Sequence, residues 1–257
     1  MLVRCRMPNE HDRPLKLAIL IDADNASPRV LQGLFEEVAS IGDASVRRIY
    51  GDFSGTRLKG WSDVLSTYAI IPHQNFANTT GKNASDIALV IDAMDLLHTG
   101  RFDGFCLVSS DSDFTRLASR IREHGVDVYG FGERKTPEAF RKACKRFIYT
   151  ENLASAKKPE VPLSSIESSA LLEPASLKQP PSAATEHIRT AVDQLEDMDG
   201  WYSLGAVGAR LCALMPEFDP RTYGCSKLVT LMEKLGTFEV RRDNLVVFVR
   251  PRVSPGL

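Results

Sequence analysis

The sequence predicts an α/β fold over residues 1–153, a Rossmann-like parallel sheet flanked by helices, followed by a small winged-helix-like α+β domain. Three observations carry this. Residues 16–25, KLAILIDADN, run apolar from Leu17 to Ile21 and stop abruptly at Asp22-Ala23-Asp24-Asn25. Short Ile- and Leu-rich runs closed by polar residues read as strands buried on both faces. Strand-like and helix-like segments then alternate as far as residue 149, giving βαβ units and a parallel sheet. Residues 186–249 instead hold three helical patterns and a hairpin signal.

Taken in order, residues 1–15 form an N-terminal arm before the first strand. Ser27-Pro28 supplies an N-cap and a first helical residue. The helix over 28–41 places Val30, Leu31, Leu34, Phe35, Val38 and Ile41 on one face, with Gly42 as its stop. A second strand spans 45–50, a helix with Leu58, Trp61 and Leu65 spans 56–68, and a short third strand spans 69–72. A polar loop over 74–81 leads to a strongly patterned helix at 83–98. GFCLVS at 104–109 is the fourth strand, and Ser110-Asp111-Ser112-Asp113 opens the helix 113–124. A fifth strand at 126–131, a helix at 136–144 and a last strand at 146–149 complete this part. Short right-handed crossovers then favour a sheet order of 3-2-1-4-5. Its switch point lies between strands one and four, where open α/β sheets bind ligands.

Residues 154–184 are rich in Ser, Ala and Pro and lack periodicity, the pattern of a flexible linker. An ordered wrap using Leu171 and Leu172 is the alternative. Helical patterns resume at 186–196, 204–214 and 222–235. Two alternating runs, 238–240 and 245–249, flank Arg242-Asp243-Asn244 as a hairpin. The second domain is therefore expected over 185–257.

Composition narrows the function classes. The 257 residues carry a net charge of −1, so no global field draws the chain to nucleic acid or membrane, and any basic surface is local. No apolar run approaches the ~20 residues of a membrane helix. The opening stretch lacks an apolar signal-peptide region. The 5 cysteines, at 5, 106, 144, 212 and 225, form no CxxC pair, which argues against a zinc site or a disulfide framework. A reducing cytoplasm is the expected location.

Three acidic segments are placed to meet at the carboxyl edge of the sheet. They are Asp22-Ala-Asp24-Asn25, Lys82-Asn-Ala-Ser-Asp86, and Ser109-Ser-Asp111-Ser-Asp113. Strand ends one and four and the start of the intervening helix share that edge, gathering Asp22, Asp86, Asp111 and Asp113. Two carboxylates ~4 Å apart repel by roughly 4 kcal/mol at an effective dielectric near 20. A divalent cation removes that cost, and oxygen-only ligands favour Mg²⁺ or Mn²⁺ over zinc. The chemistry such a site supports is metal-assisted hydrolysis of a phosphodiester. Each acid also has a plain structural reading. Asp24, Asp111 and Asp113 suit helix caps, and Asp86 suits the dipole of its first turn. Asp92 and Asp95, further along, read as solvated.

LIDADN, then K-x-x-x-D ahead of an apolar helix, then SSDSDF, resembles the NYN domain family over about residues 16–150. The resemblance implies a PIN-like ribonuclease fold with an acidic Mg²⁺ or Mn²⁺ site, and RNA cut through metal-activated water. It implies that Asp22, Asp86, Asp111 and Asp113 bind the metal, and that Asn25 orients a ligand or water. Arg57, Lys59, Lys82 and Arg134-Lys135 are the cations available to hold phosphate. Trp61, His73 and Phe76 are candidates for base stacking, although Trp61 also fits an apolar helical face.

PEFDPRTYGCSKLVTLMEKLGTFEVRRDNLVVFV resembles the OST-HTH module, also called LOTUS, over about 185–252. It implies RNA binding, or in some relatives a protein partner. Arg241, Arg242, Arg250 and Arg252 concentrate charge at the hairpin, where a solvated face is the plain reading. Two other functions compete with a ribonuclease. One is a non-catalytic RNA-binding adaptor. The other is a phosphatase of the haloacid dehalogenase type, suggested by Asp22-x-Asp24 but opposed by Ala26 where that motif wants Thr or Val.

Overall fold

A computed structural model of the chain describes residues 13–75, 84–153, 178–197, 199–244 and 246–252. Six strands form one sheet in the order β3-β2-β1-β4-β5-β6. They are β1 (Leu15–Asp22), β2 (Gly42–Gly51), β3 (Ile71–Gln74), β4 (Gly104–Val108), β5 (Asp127–Gly132) and β6 (Arg146–Tyr149). The β1–β2, β1–β4, β2–β3 and β4–β5 ladders all run parallel. The helices are α1 (Leu31–Ile41), α2 (Lys59–Leu65), α3 (Ala84–His98), α4 (Thr115–Glu123) and α5 (Glu138–Ala143), with the short α6 (Thr150–Leu153) after β6. The predicted strand order is the observed one, extended by β6.

The apolar run of the first strand does what its composition requires. Leu17 through Ile21 are each 0% exposed, as are Phe105 and Cys106 beside them in β4. A central strand covered on both faces has no place for an alternating polar residue. Leu31, Leu34 and Val38 of α1, Leu89 and Ala93 of α3, and Leu117, Ala118 and Ile121 of α4 are buried with these strands. Burial pushes the Cys106 thiol up, so it stays a neutral core residue. Gly42 ends α1 and begins β2 with no intervening loop. A Cβ there would lie 2.3 Å from the Leu15 carbonyl oxygen, so only glycine lets β2 start this close against β1.

The departures from expectation are local. The second helix is shorter than 56–68 and the third strand starts at Ile71, not residue 69. Ala69 adopts a left-handed φ of 51° and Ile70 N–H returns to the Leu65 carbonyl at 2.9 Å. The chain is therefore still turning where strand was expected. Before α4, Ser112–Phe114 form a 3-10 turn. Among the described residues no helix is long and apolar enough to cross a membrane.

The chain divides into two compact units, Met1–Cys144 and Lys145–Leu257. The second contains α7 (Thr185–Val192), β7 (Tyr202–Ser203), α8 (Leu204–Leu214), α9 (Leu228–Leu235), β8 (Phe238–Asp243) and β9 (Val246–Pro251). Its three strands form an antiparallel sheet in the order β7-β9-β8. Ile188, Ala191, Val207, Leu211, Leu231, Met232, Phe238 and Val249 make its core. Ala184, at the end of the expected linker, is fully buried in that core, and Gln179 N–H donates to the Thr222 carbonyl at 2.9 Å. Phe147 N–H donates to the Pro216 carbonyl at 2.8 Å, and Asn152 Nδ2 to Thr222 Oγ1 at 3.1 Å. Those bonds explain why Lys145–Leu153 group with this unit. Residues 154–177 of the expected linker lie outside the described residues.

The expected helix over 222–235 is divided. Pro220–Tyr223 form a 3-10 turn closed by Gly224 at φ 69°, and α9 begins at Leu228. Asp219 accepts from Arg221 N–H at 2.8 Å and caps that turn. Strand β7 was not expected, because two residues are too short to show a period.

Candidate active site

Asp22 is the last residue of β1, and β4 lies beside it with Ile21 in register with Val108. Ser109 therefore leaves β4 next to Asp22. The Asp22 carboxylate is only 1% exposed yet fully hydrogen-bonded. Oδ1 accepts from Asp24 N–H at 3.0 Å and Asn25 N–H at 3.3 Å. Oδ2 accepts from Asn25 Nδ2 at 2.9 Å and from Ser109 Oγ at 2.7 Å. Burial raises the Asp22 pKa, and the bonds from Asn25, Ser109 and Asp24 N–H work against that rise. The result is a held, oriented carboxylate at the carboxyl end of β1, beside the end of β4.

Asp86 stands in the first turn of α3, half-buried. Its pKa is pushed up to about 6, first by burial and then by the charges of Asp22, Asp111, Asp24 and Asp113. The structure thus brings the expected acids into one electrostatic neighbourhood. Asp111 also has its plain role: its Oδ1 accepts from Asp113 N–H at 2.9 Å and caps the 3-10 turn. Asp111 N–H in turn donates to Ser109 Oγ at 3.0 Å. Ser109 links the first and third acidic segments, a role the sequence analysis missed. The signal was the Ser-Ser pair where a buried strand ends. Ser109→Ala removes a hydroxyl bond to a buried carboxylate, worth about 1.5–3 kcal/mol. Its melting temperature should drop accordingly, by several degrees; an unchanged melt would show the bond contributes nothing.

The basic and aromatic candidates separate. Arg57 pairs with Asp24 Oδ1 at 2.6 Å, so it sits at the acidic turn, while Lys59 is exposed at the start of α2. Lys82 and Phe76 lie outside the described residues. Trp61 is 2% exposed, which removes it as a stacking surface; it packs as the apolar helical face required. His73 is half-buried with its ring 5.0 Å from that of Tyr50, and burial lowers its pKa. Arg134 is half-buried, and Lys135 pairs with Glu133 at 2.9 Å. Asp92, read as solvated, instead accepts from Arg48 and the Tyr50 hydroxyl, which holds its pKa down despite burial. Asp95 is exposed.

In the second unit the four hairpin arginines do not form one patch. Arg241 and Arg242 are neighbours on β8, so strand alternation sends them to opposite faces. Arg242 pairs with Glu233 of α9 at 2.7 Å. Arg250 of β9 pairs with Glu239 of β8, opposite it in the ladder, and shares its face with Arg241. Arg252 is exposed beyond β9.

The family model of the NYN domain matches residues 16–153, more than half of the chain and all of the acidic site. The chain belongs to the NYN domain family. Residues 175–246 match the OST-HTH/LOTUS domain. A crystal structure of a protein of unknown function from Vibrio parahaemolyticus is 20% identical with a TM-score of 0.44, over 55% of this chain and 94% of that one. A solution structure of an uncharacterized protein from Nitrosomonas europaea is 26% identical with a TM-score of 0.28, over 37% of this chain and 93% of that one. No curated protein matches the chain. An NYN domain is a PIN-like nuclease domain, and OST-HTH/LOTUS is an RNA-binding module.

Among the described residues of the NYN domain, no three His, Cys, Asp or Glu side chains close on a common point that would enclose an ion. The donors nevertheless fit a hard divalent cation. They are all carboxylate oxygens, and their mutual repulsion adds to the burial that lifts Asp86. Mg²⁺ commonly keeps several waters and takes only one or two carboxylates, which needs no closed cage.

Proposed function

We propose that the chain is a metal-dependent ribonuclease that hydrolyses RNA phosphodiester bonds at the Asp22 edge of the NYN domain, with the OST-HTH module adding RNA affinity. The observation that carries this is the meeting of Asp22, Asp24, Asp86, Asp111 and Asp113 at one edge of the sheet, around an Asp22 carboxylate that is buried and held by four hydrogen bonds. An acidic edge of this kind is costly without a cation, and PIN-like nucleases generally use divalent metals. Asp22, Asp86, Asp111 and Asp113 are assigned to hold Mg²⁺ or Mn²⁺, which would activate water and stabilise the leaving oxygen.

The chain's own residues set the geometry. Ser109 and Asn25 fix the Asp22 carboxylate, and the exposed Asn25 amide is the bond most easily exchanged for a ligand. Arg57 supplies a cation at the crevice mouth once a phosphate draws it from Asp24. Lys59 and Lys82 are assigned to the RNA backbone, as are Arg241 and Arg250 in the second domain; Arg242 faces the other way. The working domains are residues 1–153 and 185–257 in a cytoplasmic protein, joined by 154–184, of which Gln179 to Ala184 pack on the second domain and the preceding part acts as the tether. A tether raises the local RNA concentration at the nuclease.

The test is cleavage of a mixed RNA pool with Mn²⁺, with Mg²⁺ and with excess chelator. Cleavage should vanish in chelator while the melting transition remains, because the core is held by the packing of apolar side chains. Full cleavage in chelator would overturn the metal assignment. RNA binding without cleavage under any metal would make the chain an adaptor, and turnover of an aryl phosphate alone would make it a phosphatase.

A further inference from the structure

The outer face of the β7-β9-β8 sheet carries side chains for which the nuclease chemistry has no use. The register pairs Arg241 with Phe248 and Glu239 with Arg250, while Tyr202 pairs with Val249. Trp201 therefore continues the β7 ladder beside Arg250. Phe238 and Val249 are buried, and Tyr202 and Val240 pack on the same core. Alternation sends their neighbours Trp201, Arg241, Phe248 and Arg250 to the other side. There the Arg241 guanidinium carbon lies 4.6 Å from the Trp201 ring centre and 5.3 Å from that of Phe248. The Arg250 guanidinium carbon lies 4.6 Å from the Trp201 ring centre. Trp201 and Phe248 are half-buried, and both arginines are exposed.

Two large rings interleaved with two arginines make the surface that holds single-stranded nucleic acid. Bases stack on aromatic rings and on guanidinium planes, and arginines meet the phosphates. Trp201 and Phe248 are diagonal neighbours on adjacent strands, whose backbone positions stand about 7–8 Å apart; a base stacks on either ring by displacing the guanidinium that lies over it. A duplex keeps its base faces stacked inside and cannot use such rings.

We propose that this face binds single-stranded RNA, with bases stacked on Trp201 and Phe248 and phosphates held by Arg241 and Arg250. The proposal rests on the RNA-directed reading above and adds the strandedness and the residues. Arg242 has no part in it, being paired with Glu233 on the opposite side. Glu239 holds Arg250 in the unbound protein, so the phosphate competes with that carboxylate.

The chain has 2 tryptophans, and Trp61 is buried, so fluorescence quenching on RNA addition reports mainly on Trp201. The full chain is titrated in excess chelator with an unstructured RNA of about 12 nucleotides and with a duplex of equal length. The single strand should quench wild type and leave Trp201→Phe unquenched. Trp201→Ala should weaken single-strand binding about tenfold or more, and Trp201→Phe by less than about threefold. The duplex should bind more weakly than the single strand and ignore Trp201→Ala. Arg241→Ala should lower the salt slope for the single strand by about 0.7 units. Single-strand binding that leaves Trp201 unquenched and unaffected by Trp201→Ala would overturn the proposal, leave the RNA reading intact, and give this face to a protein partner. Should Trp201→Ala fail to fold, the quenching of wild type decides. Absence of binding to either RNA would overturn the RNA reading itself, and this proposal with it.

Discussion

Asp22→Asn should reduce metal-dependent RNA cleavage by about 10³-fold or more while leaving the fold intact. The cation contribution to phosphodiester hydrolysis is several kcal/mol, and each 1.36 kcal/mol is tenfold in rate. The amide carries no charge and is a poor partner for a hard cation. Two opposed effects set the stability change. Removing a buried charge relieves the desolvation that raises the Asp22 pKa. Against that, the new NH₂ group faces donors, where Ser109 Oγ and Asn25 Nδ2 had found an acceptor. The melting temperature should therefore move by only a few degrees in either direction. A folded Asp22→Asn protein that cuts RNA at the wild-type rate would place the active site elsewhere.

The dependence on Asp22 connects to how much of this molecule can be read from its sequence. The central strands were legible because a strand buried on both faces admits no polar residue, and Leu17–Ile21 obey that without exception. The acids were legible because each follows or precedes such a run, and parallel topology brings strand ends to one edge. Trp61 was legible as core for the same reason: its spacing from Leu58 and Leu65 marks the apolar side of α2. What stayed hidden depends on partners far away in the chain. Nothing local to Asp92 tells of Arg48 and Tyr50 on β2. Ser109 could be seen as polar but not as the group that bonds Asp22. The splitting of Arg241 from Arg242 was readable in principle, since adjacent strand residues face opposite ways. Trp201 was not, because its role depends on a two-residue strand pairing with the hairpin.

Asp86→Asn should have the paired effect expected of a residue whose charge serves function at the cost of stability. Its folded pKa of about 6 lies above the ordinary 3.8. The folded protein thus holds that proton more tightly than the unfolded chain, and ionisation weakens the fold. This loss begins as pH rises through about 4 and is complete above about 6. The full shift corresponds to at most about 3 kcal/mol, which partial exposure screens to about 1 kcal/mol. In chelator at pH 7.5, Asp86→Asn should melt a few degrees above wild type, and the gap should narrow steadily as the pH approaches 4. Mn²⁺ should then raise the wild-type melt by mass action and raise that of Asp86→Asn much less. Cleavage should fall by about 10³-fold in the variant. In wild type it should decline as pH drops below about 6, because the cation must then displace the Asp86 proton. A variant that melts below wild type in chelator at every pH would mean that the acids are held by bonds and do not repel. The acidic edge would then carry no excess charge for a cation to relieve, and the metal assignment would lose its physical basis.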